Sequence, residues 1–302
     1  MGQELALLVP GGHGQLGTDL ALAATGPVRA PSSGELDVTD PAAVDTMVGA
    51  LAVAAKEADF APVVINAAAY TAVDAAETDH ARAFAVNETG PKLLAQSCAE
   101  HRVALLHVST DYVFSGDGDR PYLATDDVAP RSVYGESKLA GERAVLASGA
   151  RAWVVRTAWV YGARGRNFVK TMVRLESERQ NLSVVDDQHG SPTWSADLAA
   201  GLLELARSVV DGHGPRQRVL HATGGGETTW CGLARAVFSA LGADPERVRA
   251  CGSREFPRPA PRPSYSVLSA REWREAGLTP LRPWRAALAA FFAEHGRDLR
   301  AH

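Results

Sequence analysis

The chain has 302 residues, 46% hydrophobic and 22% charged, a balance that suits one large α/β domain, or a domain with a smaller lobe, and excludes a disordered chain. A net charge of −4 gives no electrostatic reason to expect nucleic acid or an anionic membrane as a partner. No apolar run approaches the roughly 20 residues that a bilayer span needs. The first residues lack the basic start and cleavage site of a secretory signal. Cys98, Cys231 and Cys251 form no CxxC pair, so a cytoplasmic protein with reduced thiols is expected.

Apolar runs alternate with amphipathic stretches through the first half. Residues 4–9, ELALLV, predict a buried strand, followed by a glycine loop and a helix over 15–24. A short strand at 28–30 comes next. Asp40 and Pro41 then supply an N-cap and a first-turn proline for a helix running to residue 58. Residues 62–69 predict a strand, 79–101 a helix and 103–109 another strand. A helix holding Tyr134 precedes a strand over 152–161. Beyond this the pattern loosens, with helices at 167–179, 195–209, 229–241 and 284–295 and a polyproline-like connection at 257–264. The alternation predicts an α/β fold, a Rossmann-type doubly wound parallel sheet, with a smaller C-terminal lobe over its carboxyl edge. The expected division is a dinucleotide-binding domain over 1–160, to which later segments return, and a mainly substrate-binding lobe over 161–302.

Gly11, Gly14 and Gly17 stand in a G-x-x-G-x-x-G spacing between the first strand and the first helix. Gly11 permits a tight turn, Gly14 lets backbone amides approach a pyrophosphate, and Gly17 allows close helix–strand packing. An NAD-selective site carries an acid after the second strand, yet Arg29, Ser32 and Ser33 stand in that region. This favours NADPH, or indifference between NADPH and NADH.

Only Lys56, Lys92, Lys138 and Lys170 are lysines among 31 basic residues, and Lys138 lies four places after Tyr134. That spacing puts both side chains on one helix face. A phenol with a pKa of about 10 needs help to exchange a proton near neutrality, and a neighbouring ammonium would supply it by lowering that pKa. Ser109, Thr110 and Asp111 stand at the carboxyl end of a predicted strand, where a hydroxyl can donate to a substrate carbonyl while tyrosine gives the proton.

These motifs resemble the extended short-chain dehydrogenases/reductases and, more narrowly, the dTDP-4-dehydrorhamnose reductases. GQLG (14–17), NAAAYTAVDAAE (66–77), STDYVF (109–114), VYGESKLAGE (133–142), RTAWVYG (156–162), NFVKTM (167–172), DQHGSPT (187–193) and RPSYSVL (262–268) follow in that family's order. The resemblance implies a catalytic trio of Thr110, Tyr134 and Lys138. It sets Gly14, Gln15 and Leu16 on the cofactor phosphates, Asp37 and Val38 near adenine, and Ala69, Tyr70 and Thr71 along the cofactor. Tyr134 and Lys138 would reach its ribose. Thr110 and Asp111 would meet a dTDP-sugar, Trp159 would cover the sugar, and Arg262 would face the nucleotide pyrophosphate. The implied reaction is NADPH-dependent reduction of a C4 ketone to give dTDP-L-rhamnose.

Some relatives bind Mg2+ at a dimer interface through glutamates. Asp19 could replace one of these, but Ala196 falls at another, with Asp197 one place off. No metal is therefore predicted, and monomer and homodimer both stay open. A sugar dehydratase of the same fold needs a second carboxylate after the strand-end pair, whereas Tyr112 follows Asp111. A 4-ketoreductase for another dTDP-6-deoxysugar, or a non-catalytic dinucleotide-binding regulatory subunit, are the alternatives.

Overall fold

The computed structural model describes residues 3–300. Its centre is a six-stranded, all-parallel sheet. The chain enters through β1 (Leu5–Leu8), α1 (Gln15–Ala23), β2 (Val28–Arg29), α2 (Pro41–Glu57) and β3 (Ala61–Asn66). It continues through α3 (Val73–Ala76), α4 (His80–Phe84), α5 (Gly90–His101), β4 (Ala104–Thr110), α6 (Val133–Ala147) and β5 (Ala152–Thr157). Then come β6 (Val160–Tyr161), α7 (Phe168–Glu178), β7 (Leu182–Val185), β8 (His189–Gly190), β9 (Thr193–Trp194) and α8 (Ser195–Val210). The last part holds β10 (Val219–His221), β11 (Thr228–Thr229), α9 (Trp230–Ala240), β12 (Val248–Cys251), α10 (Arg271–Glu275) and α11 (Trp284–Arg300). None of the helices is long and apolar enough to cross a membrane, among the described residues.

The strand order is β10-β5-β4-β3-β1-β2. Helices cover both faces, which is why the inner strands read as nearly unbroken apolar runs. On one face, Leu16 and Leu20 of α1 and Leu198, Leu202 and Leu205 of α8 pack on the sheet. On the other, Val44 and Val48 of α2, Leu94 and Cys98 of α5 and Val145 of α6 do so. A second core joins α7, α9 and α11 around Phe238, Trp284 and Phe291, with Trp194 of β9.

After β1 the chain goes outward to β2, then returns to β3 on the other side of β1. This reversal opens a crevice beyond the carboxyl ends of β1 and β3, where open sheets of this kind bind ligands. The carboxyl ends of β1, β3, β4 and β5 lead in turn to the glycine loop, residues 67–71, Thr110 and Trp159. One sheet edge thus collects segments that lie far apart in the sequence.

Two expected elements are broken. The helix over 79–101 is three pieces, with a π-helical turn at Ala85–Thr89 between α4 and α5. Pro91 has no N–H to give to the Asn87 carbonyl four residues back, so an α-helical register cannot run through. The strand over 152–161 stops at Thr157 and resumes at Val160, because Trp159 adopts a left-handed backbone with φ +48°.

Candidate active site

The glycine loop is built for close approach. Gly11 has φ +79°, and a Cβ on Gly17 would lie 2.3 Å from the Gly11 carbonyl oxygen, so neither position tolerates a side chain without backbone movement. Gly14 is the N-cap of helix α1 and has no side chain to accept from the helix's first amides. Those amides are unclaimed by a capping side chain, which suits a pyrophosphate. Gln15 accepts from Asn167 Nδ2 at 2.9 Å, while Leu16 is buried in the main core. Asp37 takes two bonds from Thr39, through its hydroxyl and its N–H, which hold the carboxyl below the usual range. Val38 is buried against Gly90. Arg29, at the end of β2, is exposed.

Tyr70, in the loop after β3, is clamped by Asn87 of the π-helical turn. Asn87 Oδ1 accepts from the Tyr70 N–H at 2.8 Å, and Asn87 Nδ2 donates to the Tyr70 carbonyl at 3.0 Å. The same Nδ2 donates to Ser137 Oγ at 3.0 Å, on the helix that bears Tyr134 and Lys138. One fully buried amide therefore ties the Ala69–Tyr70–Thr71 segment to α6. Asn87 was not singled out in the sequence, where it reads as one more polar residue on a helix. The proline four places on was the available signal.

Thr110, Asp111, Tyr134 and Lys138 come together at the carboxyl end of β4. Ser132 caps α6 by accepting from the Gly135 N–H at 3.2 Å, and Tyr134 follows in the first turn. Thr110 donates its hydroxyl proton to Asp111 Oδ1 at 2.9 Å and accepts the Tyr112 N–H at 3.2 Å. Asp111 Oδ2 and Ser109 Oγ are buried without a hydrogen-bond partner among the described residues. Such orphaned polar atoms suit a polar ligand. Burial pushes the Asp111 carboxyl up to about 6, with the hydroxyls of Ser266 and Thr110 pulling the other way.

The expectation that Lys138 lowers the Tyr134 pKa is corrected by the structure. Burial pushes the Tyr134 phenol up to about 12; the Thr110 hydroxyl opposes this and the charge of Asp111 adds to it. The Lys138 ammonium donates to the Val108 carbonyl at 2.7 Å, and no hydrogen bond joins it to the phenol among the described residues. Lys138 is 2% exposed, and burial brings its own pKa down to about 8, with Glu142 opposing.

Trp159 stacks face to face on Trp230 of α9, with centroids 3.5 Å apart and planes 6° from parallel. A left-handed conformation in so bulky a residue is a strained one and is usual only where surrounding structure enforces it. Here Gly190 leaves the room, since a Cβ there would lie 2.3 Å from Trp159 Cε2. Trp230 was not picked out from the sequence, which offers no signal that it pairs with Trp159. Arg262 donates to the Ala260 carbonyl at 3.0 Å and pairs with Asp74 of α3 at 2.8 Å. It lines a small cavity with Tyr112, Arg131 and Ser132. Asp19 accepts from the Ser195 hydroxyl, and no cluster of His, Cys, Asp or Glu that could hold a metal occurs among the described residues.

The profile of the RmlD substrate binding domain matches residues 5–296. The chain is 52% identical over 300 residues to a dTDP-4-dehydrorhamnose reductase of Mycobacterium tuberculosis, covering 97% of this chain and 94% of that one. It is 42% identical over 289 residues to a dTDP-4-keto-6-deoxy-D-glucose reductase of Streptomyces niveus, with 94% and 96% covered. A dTDP-4-dehydrorhamnose reductase of Bacillus anthracis, solved in complex with NADP, superposes with a TM-score of 0.88 at 33% identity, over 97% of this chain and 99% of that one. A crevice at the sheet edge, a glycine loop with close backbone approaches at Gly11 and Gly17, and a sequence alike from end to end lead to one conclusion: the chain belongs to the dTDP-4-dehydrorhamnose reductase family.

Proposed function

We propose that the protein reduces the C4 ketone of dTDP-4-dehydro-6-deoxy-L-mannose to dTDP-L-rhamnose, with NADPH preferred over NADH. The carrying observation is the meeting of Thr110, Tyr134 and Lys138 at one strand end, in a chain 52% identical to a reductase of that name.

The glycine loop, with Gly11, Gly14, Gln15, Leu16 and Gly17, would hold the cofactor phosphates, Asp37 and Val38 the adenine end, and Ala69, Tyr70 and Thr71 the flank of the molecule. Bound NADPH supplies hydride to the carbonyl carbon. Tyr134 gives its phenolic proton to the oxygen as negative charge develops there. A phenol that burial holds at about 12 is fully protonated near neutrality, the state a proton donor needs. It is a far weaker acid than water's hydronium but stronger than the alcohol being made, so transfer follows charge development on the oxygen. Thr110 donates a second hydrogen bond to that oxygen by releasing Asp111, in the manner of an oxyanion donor. Lys138, one helical turn after Tyr134 and anchored on the Val108 carbonyl, would reach the ribose hydroxyls of the cofactor. Trp159 offers the apolar face for the sugar's methyl group. Arg262, held by Asp74, faces the nucleotide end.

Loss of NADPH absorbance on adding the dTDP-4-keto sugar, followed by NMR of the product, tests this reading. Turnover to the rhamno configuration is expected. Turnover to another C4 configuration would reassign the enzyme to a different deoxysugar, and binding of NADPH without turnover would make the protein a dinucleotide-binding module.

A further inference from the structure

The strand that ends in Thr110 also carries His107, wholly buried beside Lys138 and unused in the mechanism above. Its ring lies between two partners. His107 Nδ1 is 3.1 Å from Asn66 Nδ2 of β3, and His107 Nε2 is 3.5 Å from Lys138 Nζ.

The tautomer follows from donors and acceptors. Asn66 Oδ1 accepts from the Ala68 N–H at 3.0 Å, which fixes the amide with its NH2 towards the histidine. An NH2 group only donates, so His107 Nδ1 must accept, and the one proton of the neutral ring sits on Nε2. Burial and the nearby lysine charge both keep the ring neutral. Its Nε2–H therefore points towards the lysine nitrogen. An ammonium there meets a donor with a donor, whereas a neutral amine can turn its lone pair to the Nε2–H.

We propose that Asn66 and His107 act on the reaction through Lys138. Asn66 locks His107 as the Nε2–H tautomer, and that N–H makes Lys138 release its proton more readily than burial alone would. His107 is a positioning residue, and for its effect on turnover this inference rests on the proposed reaction.

Other charges around Lys138 do not supply this bias. Glu142, one turn further along α6, favours the ammonium, and it is itself held in a buried pair with Arg156 of β5 at 2.7 Å. Asp111 lies beyond the strand end, beside Thr110. Glu88 and Lys92 line an outer groove with Arg143, and Glu77 of the α3–α4 segment accepts the Val133 N–H.

Four lysines make the 15Nζ spectrum of lysine-labelled protein simple to assign, and ring-15N spectra report the histidine tautomer on the unaltered protein. The expected result is a neutral Nε2–H ring for His107 across roughly pH 6 to 9. In His107→Gln an amide oxygen can turn to the ammonium, so the Lys138 midpoint should rise by about one pH unit. An Nδ1–H tautomer, a protonated ring, or an unmoved Lys138 midpoint would overturn the proposal. A midpoint that rises while the pH profile of NADPH oxidation stays fixed would uphold the His107–Lys138 coupling and instead remove Lys138 from the proposed reaction.

Discussion

Lys138 donates a hydrogen bond to the carbonyl oxygen of Val108 at 2.7 Å, so the lysine is anchored to the strand that carries Thr110 and not to the tyrosine one turn before it. That bond, with 2% exposure, explains why a long cationic side chain sits inside the molecule. It links α6 to β4 and sets the distance between the phenol and the strand-end hydroxyl. The charge is costly to bury, and the cost has a pH signature.

Burial lowers the Lys138 pKa from 10.5 to about 8, a difference on the order of 3 kcal/mol. The folded protein then binds fewer protons than the unfolded chain between those two values. Stability from this group is lowest below about 8 and rises with pH up to about 10.5. Lys138→Met should therefore abolish turnover yet melt no lower than the wild type at pH 7, and its advantage should shrink as pH climbs. Thermal denaturation of both proteins across that window checks it; a variant clearly less stable at pH 7 would show that the Val108 bond outweighs desolvation.

Asn87→Ala removes three hydrogen bonds at once and leaves the Tyr70 N–H and carbonyl without their partner. A loss of about 2–4 kcal/mol is expected. Because the freed segment is the one proposed to flank the cofactor, NADPH affinity should fall as well. Urea denaturation and NADPH titration measure the two effects. Lost stability with unchanged affinity would detach the 69–71 segment from cofactor binding.

The glycine loop, the buried strands β1, β3, β4 and β5 and the Tyr134–Lys138 pair were readable in the sequence because each rests on local rules: turn chemistry, apolar runs, and a spacing of four on one helix. Helix ends near 41, 168, 230 and 284 were legible for the same reason. By contrast β10, three residues long at the sheet edge, was not read as a strand. What was hidden depends on contacts between distant segments. The π-helical turn follows from Pro91, but its purpose, placing Asn87 against Tyr70 and Ser137, does not. The left-handed bend at Trp159 needs Gly190 and Trp230, 31 and 71 residues away, to make room and hold the ring. The raised Tyr134 pKa was missed because spacing reveals the neighbouring charge and not the depth of burial that outweighs it. His107 and its tautomer depend on an amide from another strand.

Gly190→Ala tests the indole platform. The new methyl would intrude to 2.3 Å from Trp159 Cε2, and overpacking of this kind typically costs about 1–3 kcal/mol. If the sugar rests on Trp159, displacing the ring should raise KM for the keto sugar about 10-fold or more, equivalent to about 1.4 kcal/mol or more of lost binding. NADPH affinity should stay within about twofold, since the distant glycine loop is untouched. Steady-state kinetics with each ligand varied separate the two. An unchanged KM in a folded variant would remove the sugar from the indole face.

The most direct measurement is the single-turnover rate of hydride transfer in Tyr134→Phe with NADPH bound. Loss of the phenolic proton alone should slow it by about 10²–10⁴ while NADPH affinity is kept. A variant that reduces the keto sugar at the wild-type rate would contradict the account.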